Sequence, residues 1–211
     1  MRNFLLAILL LGAPAANAAE PAVLVVGDSL SAGYGMAREA SWVSLLEERL
    51  EQEDYGYRVV NASISGDTTE GGLGRLPRAL DRHDPDIVLI ELGGNDGLRG
   101  FPLGLVRRNL EAMIELSEEA GARVVLVGMQ LPPNYGPAYT SAFRDIYPEL
   151  ADEHDIALIP FLLEEVALDP SLMLDDGIHP SAAAQEKLLD NVWAVLEPEL
   201  AALGGAAAAG Q

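Results

Sequence analysis

Five short runs of nearly unbroken apolar residues recur along the chain, at residues 22–26, 57–61, 86–92, 123–127 and 156–160. They are rich in β-branched residues or leucine and do not alternate with polar ones, a pattern that predicts strands buried on both faces, as in a parallel sheet. Between them the apolar positions change to helical spacing. Val43, Leu46 and Leu50 recur at three- and four-residue intervals, while Glu47, Glu48, Arg49 and Glu51 fill the opposite face. Similar spacing predicts helices over about 103–120, 141–153 and 181–196. Strands alternating with helices predict a three-layer αβα domain. In such sheets ligands and reacting groups gather beyond the carboxyl ends of the strands, so the residues just after each run are where chemistry is expected.

The two ends of the chain depart from this pattern. A basic start, Met1-Arg2-Asn3, precedes an apolar run at 4–11 and the small-residue site Ala16-Asn17-Ala18, which together predict an exported chain cleaved after Ala18. That apolar run is far shorter than the roughly 20 residues of a membrane helix, so no integral membrane segment is expected after cleavage, and the destination is the periplasm or the medium. One domain is expected over 19–203, followed by a low-complexity disordered tail at 204–211. Cysteine is absent, which excludes disulfides and thiolate metal sites. The net charge of −20, with Lys187 as the only lysine, argues against a nucleic-acid partner, because a phosphate backbone would be repelled. Otherwise the charge reads as a well-solvated surface.

Three segments that follow predicted strands or precede the last helix hold residues able to do chemistry together. After the first strand stands Gly27-Asp28-Ser29-Leu30-Ser31, where Gly27 permits a tight turn that exposes Ser29. Alone, the segment also fits a serine that N-caps a short turn. After the third strand stands Gly93-Gly94-Asn95-Asp96-Gly97, whose Asn95 amide is able to donate to a developing oxyanion or to close an Asx turn. Before the last helix stands Asp175-Asp176-Gly177-Ile178-His179-Pro180. An Asp three residues ahead of a His orients the imidazole and stabilises its charged form, which selects Asp176 over Asp175. His83, in the polar loop before the third strand, and His154, at a helix end, read as structural. No His-Glu-x-x-His spacing, Gly-x-Ser-x-Gly elbow, complete dinucleotide fingerprint or phosphate-binding loop is present, so no metal or cofactor is expected.

These segments resemble the four blocks of the GDSL or SGNH hydrolases: Gly27-Asp28-Ser29-Leu30, Gly66 within residues 61–68, Gly93-Gly94-Asn95-Asp96, and Asp176-Gly177-Ile178-His179-Pro180. The longer runs 27–34, 91–101 and 131–136 are similar to the subgroup of bacterial arylesterases and multifunctional acyl-CoA thioesterases with lysophospholipase activity, over nearly the whole expected mature chain. The resemblance implies a flavodoxin-like α/β fold with a five-stranded parallel sheet. It further implies Ser29 as nucleophile, His179 as base, Asp176 as its partner, and an oxyanion hole made by the amides of Ser29 and Gly66 with the Asn95 side chain. The implied partners are small acyl esters and thioesters, with lysophospholipids among them. Leu98, Phe101, Leu131, Pro132, Pro133 and Tyr135 are candidates to line an acyl groove, or else simply cover the sheet edge. Two other functions fit the same chain: an O-deacetylase acting on carbohydrate or cell-envelope glycan, and a non-catalytic acyl-lipid carrier. A carrier has no need of Ser29, Asn95, Asp176 and His179 together.

Overall fold

The computed structural model describes residues 20–204; the expected signal sequence and the tail from residue 205 onward lie outside them. Five strands, β1 (Ala22–Gly27), β2 (Arg58–Asn61), β3 (Ile87–Glu91), β4 (Arg123–Val127) and β5 (Ala157–Ile159), form one sheet in the order β2-β1-β3-β4-β5. Every pairing is parallel, with Val23 opposite both Val59 and Ile87. β1 and β3 are buried throughout, as their unbroken apolar runs predict. β2 is half-buried along its length and β5 at Ala157 and Leu158, because they are the edges and each lacks a neighbour on one side.

Helices cover both faces. α1 (Ser29–Ala32) follows β1 directly; α2 (Trp42–Gln52) and α7 (Gln185–Ala202) pack together on one side. On the other, α3 (Thr69–His83), α5 (Leu103–Glu119) and α6 (Pro137–His154) lie in a row, and the short α4 (Gly94–Leu98) follows β3. Ser41 caps α2 by accepting the Ser44 N–H, and its apolar stripe of Val43, Leu46 and Leu50 is buried as the spacing predicts.

α3 is absent from the expectations of periodicity, because three glycines and Pro77 suppress the helical signal in its sequence. It forms nonetheless: Thr68 caps it, Leu76 and Leu80 bury its inner face, and Gly72 lets it approach Leu92 more closely than any side chain would allow. His83 consequently ends this helix and is not part of a loop. His154 ends α6, with Nδ1 3.6 Å from Glu118.

Two contacts carry the packing to the carboxyl edge of the sheet. Trp42, fully buried, donates from Nε1 to the Leu30 carbonyl at 3.2 Å, and its backbone N–H donates to Gln185 Oε1 at 2.9 Å. The start of α2 thus binds both the helix after β1 and the start of α7, and it relates two loops that are remote in sequence.

Candidate active site

Ser29 is the first residue of α1, so its backbone N–H has no intrahelical acceptor. Asp28 caps this helix, its Oδ1 accepting the Leu30 N–H at 3.0 Å. Gly27 does not have the positive φ of a tight glycine turn. Glycine is needed there for space: a Cβ would stand 2.5 Å from Glu91 Oε2 and 2.8 Å from Ser31 Oγ. The expected reason for Gly27 is therefore corrected from backbone freedom to close approach.

His179 lies on the loop between β5 and α7. That loop folds back on itself, with the Leu174 N–H donating to the His179 carbonyl at 2.8 Å and Gly177 turning at a φ of 65°. Asp176 Oδ1 accepts the N–H groups of Ile178 at 2.9 Å and His179 at 3.0 Å. The other oxygen, Oδ2, is 2.7 Å from His179 Nδ1, and His179 Nε2 is 2.8 Å from Ser29 Oγ. The His179 backbone N–H, more than any other group, holds the Asp176 carboxyl down at about 2, helped by the imidazole and the Ile178 N–H. A carboxylate so placed keeps its charge toward the imidazole and selects the tautomer whose Nε2 faces the serine.

Tyr34, the last residue of the family-like run 27–34, also belongs to this arrangement, although the run assigns it no role. The Tyr34 ring lies 4.3 Å from the His179 ring, tilted by 35°, and the Tyr34 N–H donates to the Ser29 carbonyl at 3.2 Å. Asn95, at the start of α4, directs Nδ2 to Asp28 Oδ2 at 2.9 Å, which leaves the second hydrogen of that nitrogen for another acceptor. Gly66 sits at a φ of 81° on the loop after β2. Arg75 of α3 ties this loop down: it donates to Asp67 Oδ2 at 2.7 Å, to the Ala62 carbonyl, and to the Gly27 carbonyl at 3.2 Å. Buried Asp96 secures the far end of the loop by accepting the N–H and hydroxyl of Thr69. Arg99 donates to the Gly66 carbonyl at 3.0 Å.

The candidate groove residues come from two loops that are fastened together. The Tyr135 hydroxyl donates to the Leu98 carbonyl at 2.8 Å, and Tyr139 donates to that of Phe101 at 3.0 Å. Leu98, Phe101, Leu131, Pro132 and Tyr135 are half-buried, whereas Pro133 is exposed. Leu131 packs against the backbone of Gly97.

The family model for GDSL-like lipases and acylhydrolases matches residues 25–187. The esterase TesA of Pseudomonas aeruginosa is 52% identical over 184 residues, covering 87% of this chain and 92% of that protein. An arylesterase of Vibrio mimicus is 53% identical over 81% of this chain and 86% of its own. The Escherichia coli thioesterase 1/protease 1/lysophospholipase L1 is 48% identical over 86% of each. Among solved structures, the psychrotrophic esterase EstA from Pseudoalteromonas, inhibited by monoethylphosphonate, superposes with a TM-score of 0.82 at 37% identity, covering 86% of this chain and all of its own.

Proposed function

The chain belongs to the GDSL-like lipase/acylhydrolase family, and we propose that it hydrolyses carboxylic esters and acyl thioesters through an acyl-serine formed on Ser29. The observation that carries this reading is the unbroken hydrogen-bonded series Asp176, His179, Ser29, with both imidazole nitrogens engaged. The relatives at about half identity, whose names are esterase, arylesterase and thioesterase, support the same class of bond.

His179 takes the Ser29 proton as Oγ attacks the acyl carbonyl, and Asp176 stabilises the imidazolium that results. Negative charge then develops on the carbonyl oxygen. The Ser29 and Gly66 amides and the free Asn95 hydrogen are the donors assigned to it, and they gain strength as the charge grows. Collapse of the tetrahedral species breaks the bond to the alcohol or thiol, which leaves with the proton from His179. Water, activated by the same imidazole, hydrolyses the acyl-serine and regenerates the enzyme.

The substrate class is small acyl esters and thioesters, lysophospholipids included, with the acyl chain lying along Leu98, Phe101, Leu131, Pro132 and Tyr135. Each methylene buried there contributes up to about 0.8 kcal/mol. One domain over 19–203 follows an export signal at 1–18, which points to the periplasm; among the described residues no helix is long and apolar enough to cross a membrane. The test is hydrolysis of p-nitrophenyl esters from acetyl to palmitoyl by the wild type and Ser29→Ala. Cleavage by the wild type alone, rising with chain length, is expected. Acetyl-only activity would move the reading to a deacetylase, and a fully active Ser29→Ala would end the acyl-serine mechanism.

A further inference from the structure

Glu91 ends β3, is fully buried, and takes no part in the mechanism above. Its Oε2 accepts the Asp28 N–H at 3.2 Å and contacts Ser31 Oγ at 2.5 Å, while Oε1 has no hydrogen-bond partner among the described residues. The two groups it holds stand on either side of Ser29. The space it occupies is the space that Gly27 leaves open. Above it, the carboxylate of Asp28, itself buried, accepts from Leu30 on one oxygen and from Asn95 on the other. One buried carboxyl therefore lies under two of the three donors assigned to the oxyanion.

We propose that Glu91 is a positioning residue: its carboxyl tethers the turn 28–31 from below, and so sets where the Ser29 amide and, through Asp28, the Asn95 amide meet the developing oxyanion. This rests on Ser29 as nucleophile. Burial, and after it the charge on Asp28, push the Glu91 carboxyl well above its usual range. Burial raises Asp28 as well, but the Leu30 and Asn95 hydrogen bonds favour its charged form. Asp28 has a hydrogen bond on each carboxylate oxygen whereas Glu91 Oε1 has none, so of the two buried carboxyls Glu91 is the one that favours its neutral form. A neutral amide of the same shape should then replace Glu91, and a methyl group should not.

The test is kcat and KM on p-nitrophenyl butyrate for the wild type, Ser29→Ala, Glu91→Ala, Glu91→Gln and Ser31→Ala, with folding followed by circular dichroism. Glu91→Ala is expected to lower kcat about a hundredfold with KM nearly unchanged, the effect of a displacement of about 1 Å at the reacting centre. Glu91→Gln should keep kcat within about threefold of wild type, and Ser31→Ala, which removes one of the two tethers, should lower it several-fold. If Glu91→Ala does not fold, the last two variants carry the test by the same criteria. Wild-type kcat in Glu91→Ala or Ser31→Ala, a loss confined to KM, or a folded Glu91→Gln with kcat a hundredfold down would each overturn the positioning role. These outcomes leave the nucleophile assignment intact while Ser29→Ala stays silent; an active Ser29→Ala would instead remove the reading on which the role rests.

Discussion

Asp175 and Asp176 are adjacent and chemically identical, yet only Asp176 is hydrogen-bonded to the imidazole. Asp176→Asn should lower kcat roughly a thousandfold or more by disturbing the tautomer, while Asp175→Asn should leave it nearly unchanged; equal losses would break the assignment. With its carboxyl held at about 2, Asp176 contributes stability that is present above its ordinary value of 3.8 and is lost as pH falls through about 2. Loss of activity between neutral pH and about pH 4 is therefore not due to protonation of this carboxyl. Asn95→Ala should cost roughly 3 kcal/mol of transition-state stabilisation, or about a hundredfold in turnover, and unchanged turnover would remove Asn95 from the oxyanion hole. The three-residue spacing made Asp176 readable in the sequence. Glu91 was nearly so, as a charge closing an apolar run, but a sequence does not say that the charge is buried beneath Ser31. Tyr34 closes the family-like run 27–34, but its contact with His179 was not readable, because it joins positions far apart in the chain.

Among the elements, the loop after β2 bears Gly66 and depends on a helix that periodicity did not reveal. Arg75 of α3 fastens it through Asp67, Ala62 and Gly27, with the Arg75 and Asp67 side chains only 21% and 13% exposed. Arg75→Met should destabilise the protein by about 2 kcal/mol, a figure reduced from that of a fully buried pair for this residual exposure, because it strands Asp67 and two carbonyls. It should also lower kcat by loosening Gly66. Arg75→Lys should not restore either property, since an ammonium lacks the planar fork that reaches three acceptors at once. Urea denaturation beside steady-state kinetics checks both, and a wild-type midpoint in Arg75→Met would show that the loop is held by other contacts. α3 escaped a reading by periodicity because glycine and proline lower intrinsic helix propensity, whereas burial of Leu76 and Leu80 against the sheet overrides it.

For the whole molecule, the charge of −20 is a continuous cost to the compact state, because like charges are brought together on folding. Added sodium chloride, between about 0.01 and 0.5 M, should raise Tm by screening that repulsion. A Tm that falls with salt would mean that the surface ion pairs outweigh it. Such pairs do exist, Arg49 with Asp190 and Arg123 with Glu199 among them, but exposed pairs are worth little each.

The succession of five strands, the helices α2, α5, α6 and α7, the parallel sheet and the family were determined by the sequence itself, because apolar periodicity and short motifs are local properties of a chain. What only the tertiary structure decided is how segments up to 150 residues apart meet: Ser29 against His179, Glu91 beneath Gly27, and Arg75 between the loop after β2 and the end of β1. The physical reason is the same in each case. A hydrogen bond or a close approach depends on where the packed core places two backbones, and a one-dimensional pattern does not contain that distance.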